Sequence, residues 1–201
     1  MATQPATSTS TVIQRLWTQE EYWRLPEGPP YYELEDGELI EMAAPRGKHQ
    51  RIIKRLGTII DAYLLQNPIG EIWPTVAVEL SNTRIYIPDL SFLLTEHFNR
   101  FADDIAIKGP PDLVVEVLSP STASRDKTQK LRAYLRAGVP WYWLVETESL
   151  LITEYRYTPD GYLVSQTIRP LEAFAPGLFP GLSFRMADLI DASNPEEESH
   201  E

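Results

Sequence analysis

The chain has 201 residues, of which 43% are hydrophobic and 10% aromatic, a composition that suits one domain with a real core and excludes wholesale disorder. The absence of cysteine excludes disulfides, thiol catalysis and cysteine-bearing zinc sites. The net charge of −11 argues against nucleic acid as a partner, but ten of the 18 Lys and Arg residues lie in two short stretches, residues 46–55 and 125–136, so a locally basic groove is not excluded.

The two ends of the chain differ in composition from the rest. Residues 1–11 are rich in Thr, Ser, Ala, Pro and Gln, and residues 193–201 are rich in Glu, so both segments are predicted to be disordered. Residues 12–192 show no repeat and no linker, which predicts a single domain. The longest apolar run, residues 139–145, is too short to span a membrane, and the start of the chain lacks the features of a signal peptide. We therefore expect a cytoplasmic protein that does not contact membranes.

The first elements in chain order are a short helix, a hairpin and a long helix. A capping-box pattern that starts at Thr18 predicts the short helix. The turn residues Asp36-Gly37 predict a hairpin between strands at residues 31–35 and 38–42. Apolar residues recur three and four apart over residues 48–66, which predicts a helix with one buried face.

Strands dominate the next part of the chain. β-Branched and aromatic residues predict two strands at residues 71–80 and 84–94, and Pro88 marks a bulge or an edge position in the second. Residues 95–104 are predicted to be a loop or a short helix. Residues 112–118 are almost wholly apolar and predict a strand that is buried on both faces.

The last part of the chain predicts a helix at residues 125–137 and a buried strand at residues 141–146. Because a helix joins this strand to the strand before it, the two strands are expected to be parallel neighbours. A C-terminal hairpin at residues 151–168 and an irregular segment with a short final helix complete the chain. These elements predict an α/β fold with a mixed central sheet and helices packed on it.

Two acidic residues stand out because they lie in apolar strands. Asp89 follows Pro88, and Glu116 lies between valines. A buried carboxylate is costly unless it is paired or bound to a cation, and two carboxylates on neighbouring strands could share Mg²⁺ or Mn²⁺. The alternative from composition alone is that Asp89 organises a turn and that Glu116 pairs with Arg or Lys.

The spacing of Pro88-Asp89 and Glu116, followed by a basic helix, resembles the PD-(D/E)XK nuclease superfamily. A longer set of motifs, spread over about residues 31–146 and weakly to 189, is similar to the Uma-type family of restriction endonucleases within it. These motifs are Tyr32-Glu33-Leu34, Asp36-Gly37-Glu38, His49, Pro88-Asp89, the run from Pro111 to Thr122 that contains Glu116-Val117-Leu118-Ser119-Pro120, Asp126, Lys130, and Gly138-Val139-Pro140 ahead of Tyr142-Trp143.

The resemblance implies a restriction-endonuclease-like core of the order αβββαβ, with an N-terminal and a C-terminal hairpin added. It implies a metal-dependent endonuclease that hydrolyses phosphodiester bonds with a metal-activated water, with DNA as the expected substrate and RNA as an open alternative. Asp89 and Glu116 would hold Mg²⁺ or Mn²⁺ together with the backbone carbonyl of Val117. The lysine that the superfamily places two residues after the glutamate is replaced by Leu118, and the resemblance implies that Lys130, on the following helix, takes that role.

The roles of three candidate residues have open alternatives. Lys130 could instead form an exposed i,i+4 ion pair with Asp126. His49 could belong to the site, contact a phosphate or be a solvated residue at the start of a helix. Glu38 could belong to the site or be a surface charge of the hairpin.

Two functional hypotheses follow from these residues. The first is a magnesium-dependent endonuclease that acts as a homo-oligomer, since nucleases that cut both strands often present two sites about a twofold axis. The second is a catalytically inactive binding module on a nuclease fold, which the acidic charge and the displaced lysine favour. The two basic stretches could contact phosphates or be ordinary solvated helix faces.

Overall fold

The chain folds into two main β-sheets with helices packed against them. The computed structural model describes residues 16–44, 46–101, 103–118 and 126–191, without the side chains of residues 126 and 191. The strands are β1 (Tyr32–Glu35), β2 (Glu38–Glu41), β3 (Gly70–Pro74), β4 (Ala77–Ser81), β5 (Arg84–Tyr86), β6 (Leu90–Leu94), β7 (Ala106–Lys108), β8 (Leu113–Leu118), β9 (Trp141–Glu146), β10 (Ile152–Thr158), β11 (Gly161–Ile168), β12 (Ala173–Phe174) and β13 (Phe184–Arg185). The α-helices are α1 (Gln19–Tyr22), α2 (Gly47–Leu64), α3 (Leu131–Ala137) and α4 (Asp188–Asp191), with a 3-10 helix at Thr95–Phe101 and a π-helical turn at Asp126–Lys130.

The larger sheet has six strands in the order β11-β10-β9-β8-β6-β3. The core elements of this sheet and its helices follow the predicted order of helix, three strands, helix and strand. They are α2, β3, β6, β8, α3 and β9. Strands β8 and β9 are parallel, as the helix between them predicted, and the other neighbours are antiparallel. The α/β class with a mixed central sheet is therefore confirmed.

A second sheet of five strands, in the order β2-β1-β5-β4-β7, was not predicted as a separate layer. It joins the N-terminal hairpin to the β4–β5 hairpin, and β7 adds a parallel edge strand. The β4–β5 hairpin is an insertion between two strands of the larger sheet. The insertion thereby ties the start of the chain to the central sheet.

The prediction of two continuous strands over residues 71–80 and 84–94 was wrong, because each of these segments is divided into two strands. The first breaks at Thr75, which has a positive φ, and the second breaks at Pro88 and Asp89. The Thr75 N–H donates to the Asp89 carbonyl at 3.2 Å, so the two breaks lie opposite each other. Proline has no N–H to donate to a strand ladder, so Pro88 interrupts the pairing. At the two breaks the chain passes from one sheet to the other.

The core lies on both faces of the six-stranded sheet, and β8 is buried along its whole length, as predicted. Val115 and Val117 pack on the side of α2, where Leu56 and other apolar residues of the helix meet the sheet. Val114 and Leu118 pack on the side of α3. Because strand side chains alternate, Glu116 points to the α3 side.

The capping box at Thr18 is present, with Thr18 N donating to Glu21 Oε2 at 3.0 Å and Glu21 N donating to Thr18 Oγ1 at 3.3 Å. The predicted disordered segments, residues 1–11 and 193–201, lie outside the described residues, as does the Ser119-Pro120 part of the family motif. No helix in the described part of the chain has both the length and the apolar character that crossing a membrane requires.

Candidate active site

The candidate site lies where the pairing of β6 and β8 ends. Leu90 and Val115 form the last aligned pair of these antiparallel strands, and the next step of the register places Asp89 opposite Glu116. Beyond that pair, the Asp89 side chain takes the place of a backbone acceptor on the neighbouring strand. Its Oδ2 accepts the Val117 N–H at 2.6 Å. The two acids that the sequence singled out thus lie next to the last aligned pair of β6 and β8, Asp89 just before β6 and Glu116 within β8.

The backbone of Val117 contributes to this end of the strands. In an extended strand, the N–H and the C=O of one residue point to the same side. Since the Val117 N–H points to Asp89, its carbonyl oxygen points to the same gap between the strands. The predicted third oxygen therefore lies on the side of the strand that faces Asp89.

The structure brings His49 into contact with Asp89. The histidine lies in the first turn of α2, and its Nε2 is 3.3 Å from Asp89 Oδ2. The side chains of both residues are 14% exposed, so the pair lies near the surface without being open to it. The buried Ile52 and Ile53 follow His49 by three and four residues and share its side of the helix.

Lys130 is buried, and its ammonium lies between two carboxylates. Its Nζ is 3.0 Å from Glu116 Oε1 and 2.9 Å from Glu33 Oε1, and it lies 5.4 Å from the centre of the Tyr86 ring. Lys130, Glu116 and Glu33 are 5%, 4% and 1% exposed. Burial of this order makes the ion pairs necessary, because an uncompensated charge at such a place is costly.

Tyr134 supplies a further hydrogen bond to the buried glutamate. Its hydroxyl donates to Glu116 Oε1 at 2.7 Å. Burial, followed by the charges of Glu116 and Glu33, raises the pKa of Tyr134 well above its usual value. The hydroxyl therefore stays protonated and remains a donor at neutral pH.

The local helix geometry turns Lys130 inward. It is the last residue of the π-helical turn and directly precedes α3, and such turns shift the register of the side chains that follow. The alternative of an exposed ion pair with Asp126 does not fit a lysine that is 5% exposed. The side chain of Asp126 itself lies outside the described residues.

Glu38 is not brought to this cluster. It lies exposed on β2, the edge strand of the five-stranded sheet, where it pairs with Glu35. The acid that does reach Lys130 is Glu33 on β1, which the motif Tyr32-Glu33-Leu34 contained but which was not chosen as a site residue. Glu33 and Glu35 alternate with Leu34, a pattern typical of the solvent side of a hairpin. The sequence signal for burial is weak at this position, because only a facing element can bury that side.

The basic stretches divide between the interior and the surface. On α2, Arg51 and Lys54 are exposed and lie on the side of the helix opposite His49. On α3, Arg132 and Arg136 are exposed, whereas Lys130 just before it is buried. Both stretches thus have a solvated outer face, and one residue of each contacts a predicted site acid: His49 contacts Asp89, and Lys130 contacts Glu116.

Within the described residues, no group of three or more His, Asp and Glu side chains is arranged to hold a metal ion. The donors predicted from the sequence are two carboxylates and a backbone carbonyl, from Asp89, Glu116 and Val117. Mg²⁺ is usually held by one or two carboxylates and keeps several waters, so this donor set has the chemistry that the ion prefers. One oxygen of Glu116 is engaged by Lys130 and Tyr134.

Comparisons with known proteins give one family and one fold. The model of the Uma2 family, described as "Putative restriction endonuclease", matches residues 19–187. Among solved structures, the chain resembles a "putative nuclease belonging to DUF820" from Anabaena variabilis, with 22% sequence identity and a TM-score of 0.70 over 86% of this chain and 96% of that one. At this identity the likeness shows a shared fold. The comparison with curated proteins found no match.

Proposed function

Because the chain belongs to the Uma2 family, we propose that it is a metal-dependent endonuclease that hydrolyses phosphodiester bonds of DNA. Two contacts near the end of the β6–β8 pairing support this proposal: Asp89 accepts the Val117 N–H, and the buried Lys130 contacts Glu116, the residue before Val117. Acids and an ammonium at such a place are the groups that phosphoryl hydrolysis requires, since negative charge develops on the phosphate as it is attacked.

In this proposal Asp89, Glu116 and the carbonyl of Val117 hold Mg²⁺ or Mn²⁺. A divalent ion there would polarise a phosphoryl oxygen and lower the pKa of a water bound to it. His49 orients Asp89 from the start of α2. Lys130 brings a positive charge close to Glu116, where it stabilises negative charge that develops on the phosphate.

The test uses purified protein and supercoiled plasmid DNA, with Mg²⁺ or Mn²⁺ and with EDTA. Wild type is expected to nick or cut the plasmid only with the divalent ion. Asp89→Asn and Glu116→Gln are each expected to lower the rate by about 100-fold or more, as loss of a group that acts on the transition state does. Glu38→Gln is the matched control, because it removes an exposed glutamate, and it is expected to cleave like wild type.

Equal cleavage by wild type and both site variants would reject the assignment. The competing hypothesis is an inactive binding module, which one feature of the site favours: Lys130 and Tyr134 both bind the glutamate oxygen that an ion could use. Titration calorimetry with Mn²⁺ separates the two hypotheses. The endonuclease is expected to bind Mn²⁺ in wild type but not in Asp89→Asn, and the inactive module is expected to bind in neither. Replacing the plasmid by RNA tests the alternative substrate.

A further inference from the structure

We propose that Glu33 is a positioning residue of the endonuclease and that it holds the Lys130 ammonium beside Glu116. This inference rests on the proposed function, since it assigns a task to a residue that would touch neither the ion nor the phosphate. It also gives the five-stranded sheet a role in the site. Strand β1 of that sheet carries Glu33, whereas Asp89 directly precedes β6 and Glu116 lies within β8 of the six-stranded sheet.

The Glu33 carboxylate makes two short contacts through one of its oxygens. Its Oε1 accepts the Ile87 N–H at 3.0 Å and lies 2.9 Å from Lys130 Nζ. Residue 87 lies two positions before Asp89 in the connection between β5 and β6. The carboxylate of Glu33 is thus anchored to the same segment that carries the first predicted metal ligand, and a lysine so held has little freedom to leave the site.

The division of one ammonium between two carboxylates has a consequence for Glu116. If Lys130 lost Glu33, its charge would be drawn to Glu116 alone, and Glu116 would become a poorer ligand for a divalent ion. The lysine would also lose the contact that sets its direction. Both effects predict a lower turnover number, although the bound DNA is untouched.

The first experiment is a double-mutant cycle on plasmid cleavage with Glu33→Gln and Lys130→Met. Glu33→Gln is expected to lower kcat by about 10- to 100-fold, the range that residues behind the direct ligands contribute, with KM for DNA unchanged. In the Lys130→Met background the same change is expected to have no further effect on kcat, because no ammonium remains to be positioned. Effects that multiply in the double variant would overturn the proposal.

Glu35→Gln is the matched control. Glu35 lies two residues away on the same face of β1, and its Oε1 accepts the Tyr86 hydroxyl at 2.7 Å. This variant removes a carboxylate from the same strand without changing the Lys130 contact, so kcat is expected to stay at the wild-type value. An equal loss in Glu35→Gln would show that damage to β1 in general causes the effect.

The second experiment does not depend on activity. Crystal structures of Glu33→Gln and Glu35→Gln are expected to differ at Lys130. In the first variant its Nζ leaves the position 2.9 Å from residue 33 and shifts toward Glu116, and in the second it keeps its present distances to both residues. An unchanged Lys130 in Glu33→Gln would overturn the proposal. If wild type cleaves no nucleic acid, the proposed function fails, and this comparison still decides whether Glu33 positions the lysine.

A variant that keeps the charge covers the case in which Glu33→Gln does not fold. Glu33→Asp is one methylene shorter and cannot reach both the Ile87 N–H and Lys130 at the present distances. It is expected to lower kcat in the same Lys130-dependent way, by less than Glu33→Gln. Wild-type kcat and an unmoved Lys130 in Glu33→Asp would contradict the proposal.

Discussion

Acidic side chains in this protein differ in their surroundings far more than in their chemistry. Glu33 and Glu38 lie five positions apart on the two strands of one hairpin, yet Glu33 is 1% exposed and paired with Lys130, whereas Glu38 is exposed on an edge strand. Glu154 is buried among neutral donors, with no lysine or arginine among its described hydrogen bonds. Because the neighbours of these acids differ, we expect different effects when single residues around them are changed.

Tyr134 is expected to stabilise the fold through its hydrogen bond to Glu116. Tyr134→Phe removes the hydroxyl that donates at 2.7 Å and keeps the ring. A buried hydrogen bond to a charged group contributes about 1.5–3 kcal/mol, so the free energy of unfolding is expected to fall by about 2 kcal/mol in urea titrations. Tyr155→Phe, a half-buried tyrosine on β10, is the control and is expected to stay within about 0.5 kcal/mol of wild type. Equal stability of wild type and Tyr134→Phe would contradict this role.

Glu154 is expected to make stability fall as the pH rises. Burial raises the pKa of Glu154 above its ordinary value of 4.5, although Trp143 Nε1, Gln166 Nε2 and the Gly177 N–H all donate to it. The folded protein then binds the proton more tightly than the unfolded chain. The stabilising contribution is therefore complete below pH 4.5 and is lost as the pH rises through the folded-state pKa.

The measurement compares wild type with Glu154→Gln, which does not titrate, in urea unfolding between about pH 4 and pH 8. The contributions of the other groups cancel in the difference. The unfolding free energy of wild type relative to the variant is expected to decrease over this range. A difference that is independent of pH would show that the pKa of Glu154 is the same in the folded and unfolded states.

At the scale of elements, the change of sheets at Thr75 and at Pro88-Asp89 decides the site. Had β6 continued without a break, a backbone carbonyl would meet the Val117 N–H that Asp89 now receives. The insertion that follows from the break also brings β1, and with it Glu33, to Lys130. The site is therefore built at the junction of the two sheets, and the close approach of β3 and β6 is part of what holds that junction.

Gly70 at the start of β3 is expected to be essential for this approach. A Cβ added there would lie 2.1 Å from the Leu93 carbonyl oxygen and 2.5 Å from the Phe92 ring. Because neither backbone nor core ring can yield, Gly70→Ala is expected to lower the unfolding free energy by about 3 kcal/mol. Gly57→Ala is the control. Gly57 lies inside α2, and a Cβ added there would make an ordinary contact of 3.7 Å with Leu90 of β6. This variant is expected to raise stability by about 0.5–1 kcal/mol.

At the scale of the whole molecule, the net charge of −11 masks an uneven distribution. The outer faces of α2 and α3 carry exposed arginines and a lysine, including Arg51, Lys54, Arg132 and Arg136. Arg51 and Lys54 lie on the side of α2 opposite His49, so these exposed cations belong to the outer surface of the helix. The acidic remainder of the surface opposes nonspecific contact with nucleic acid.

The homo-oligomer expected from the sequence stays a prediction, and a dimer is its simplest form. Closed twofold dimers are common, and two sites about such an axis suit a nuclease that cuts both strands. Light scattering during gel filtration is expected to give twice the 22.9 kDa of the chain. A mass of one chain at every concentration would contradict it, and nicking without double-strand cuts would then be expected.

The sequence by itself determined the elements whose signals are local. The apolar repeat of α2, the buried run of β8 and the helix between β8 and β9 led to the correct class and the correct parallel pair, since periodicity and short connections depend on neighbours along the chain. The odd position of Asp89 and Glu116 in apolar strands also identified two acids that lie directly next to the last aligned pair of β6 and β8.

Only the tertiary structure decided which further side chains meet them. Glu33 and Lys130 are far apart in sequence, and their contact depends on how the two sheets join, which no local pattern records. The same holds for the break that splits residues 71–94 between sheets. A hairpin glutamate is on the surface or in the interior according to what packs over it, and for that reason Glu38 was chosen from the sequence while Glu33 was found in the structure.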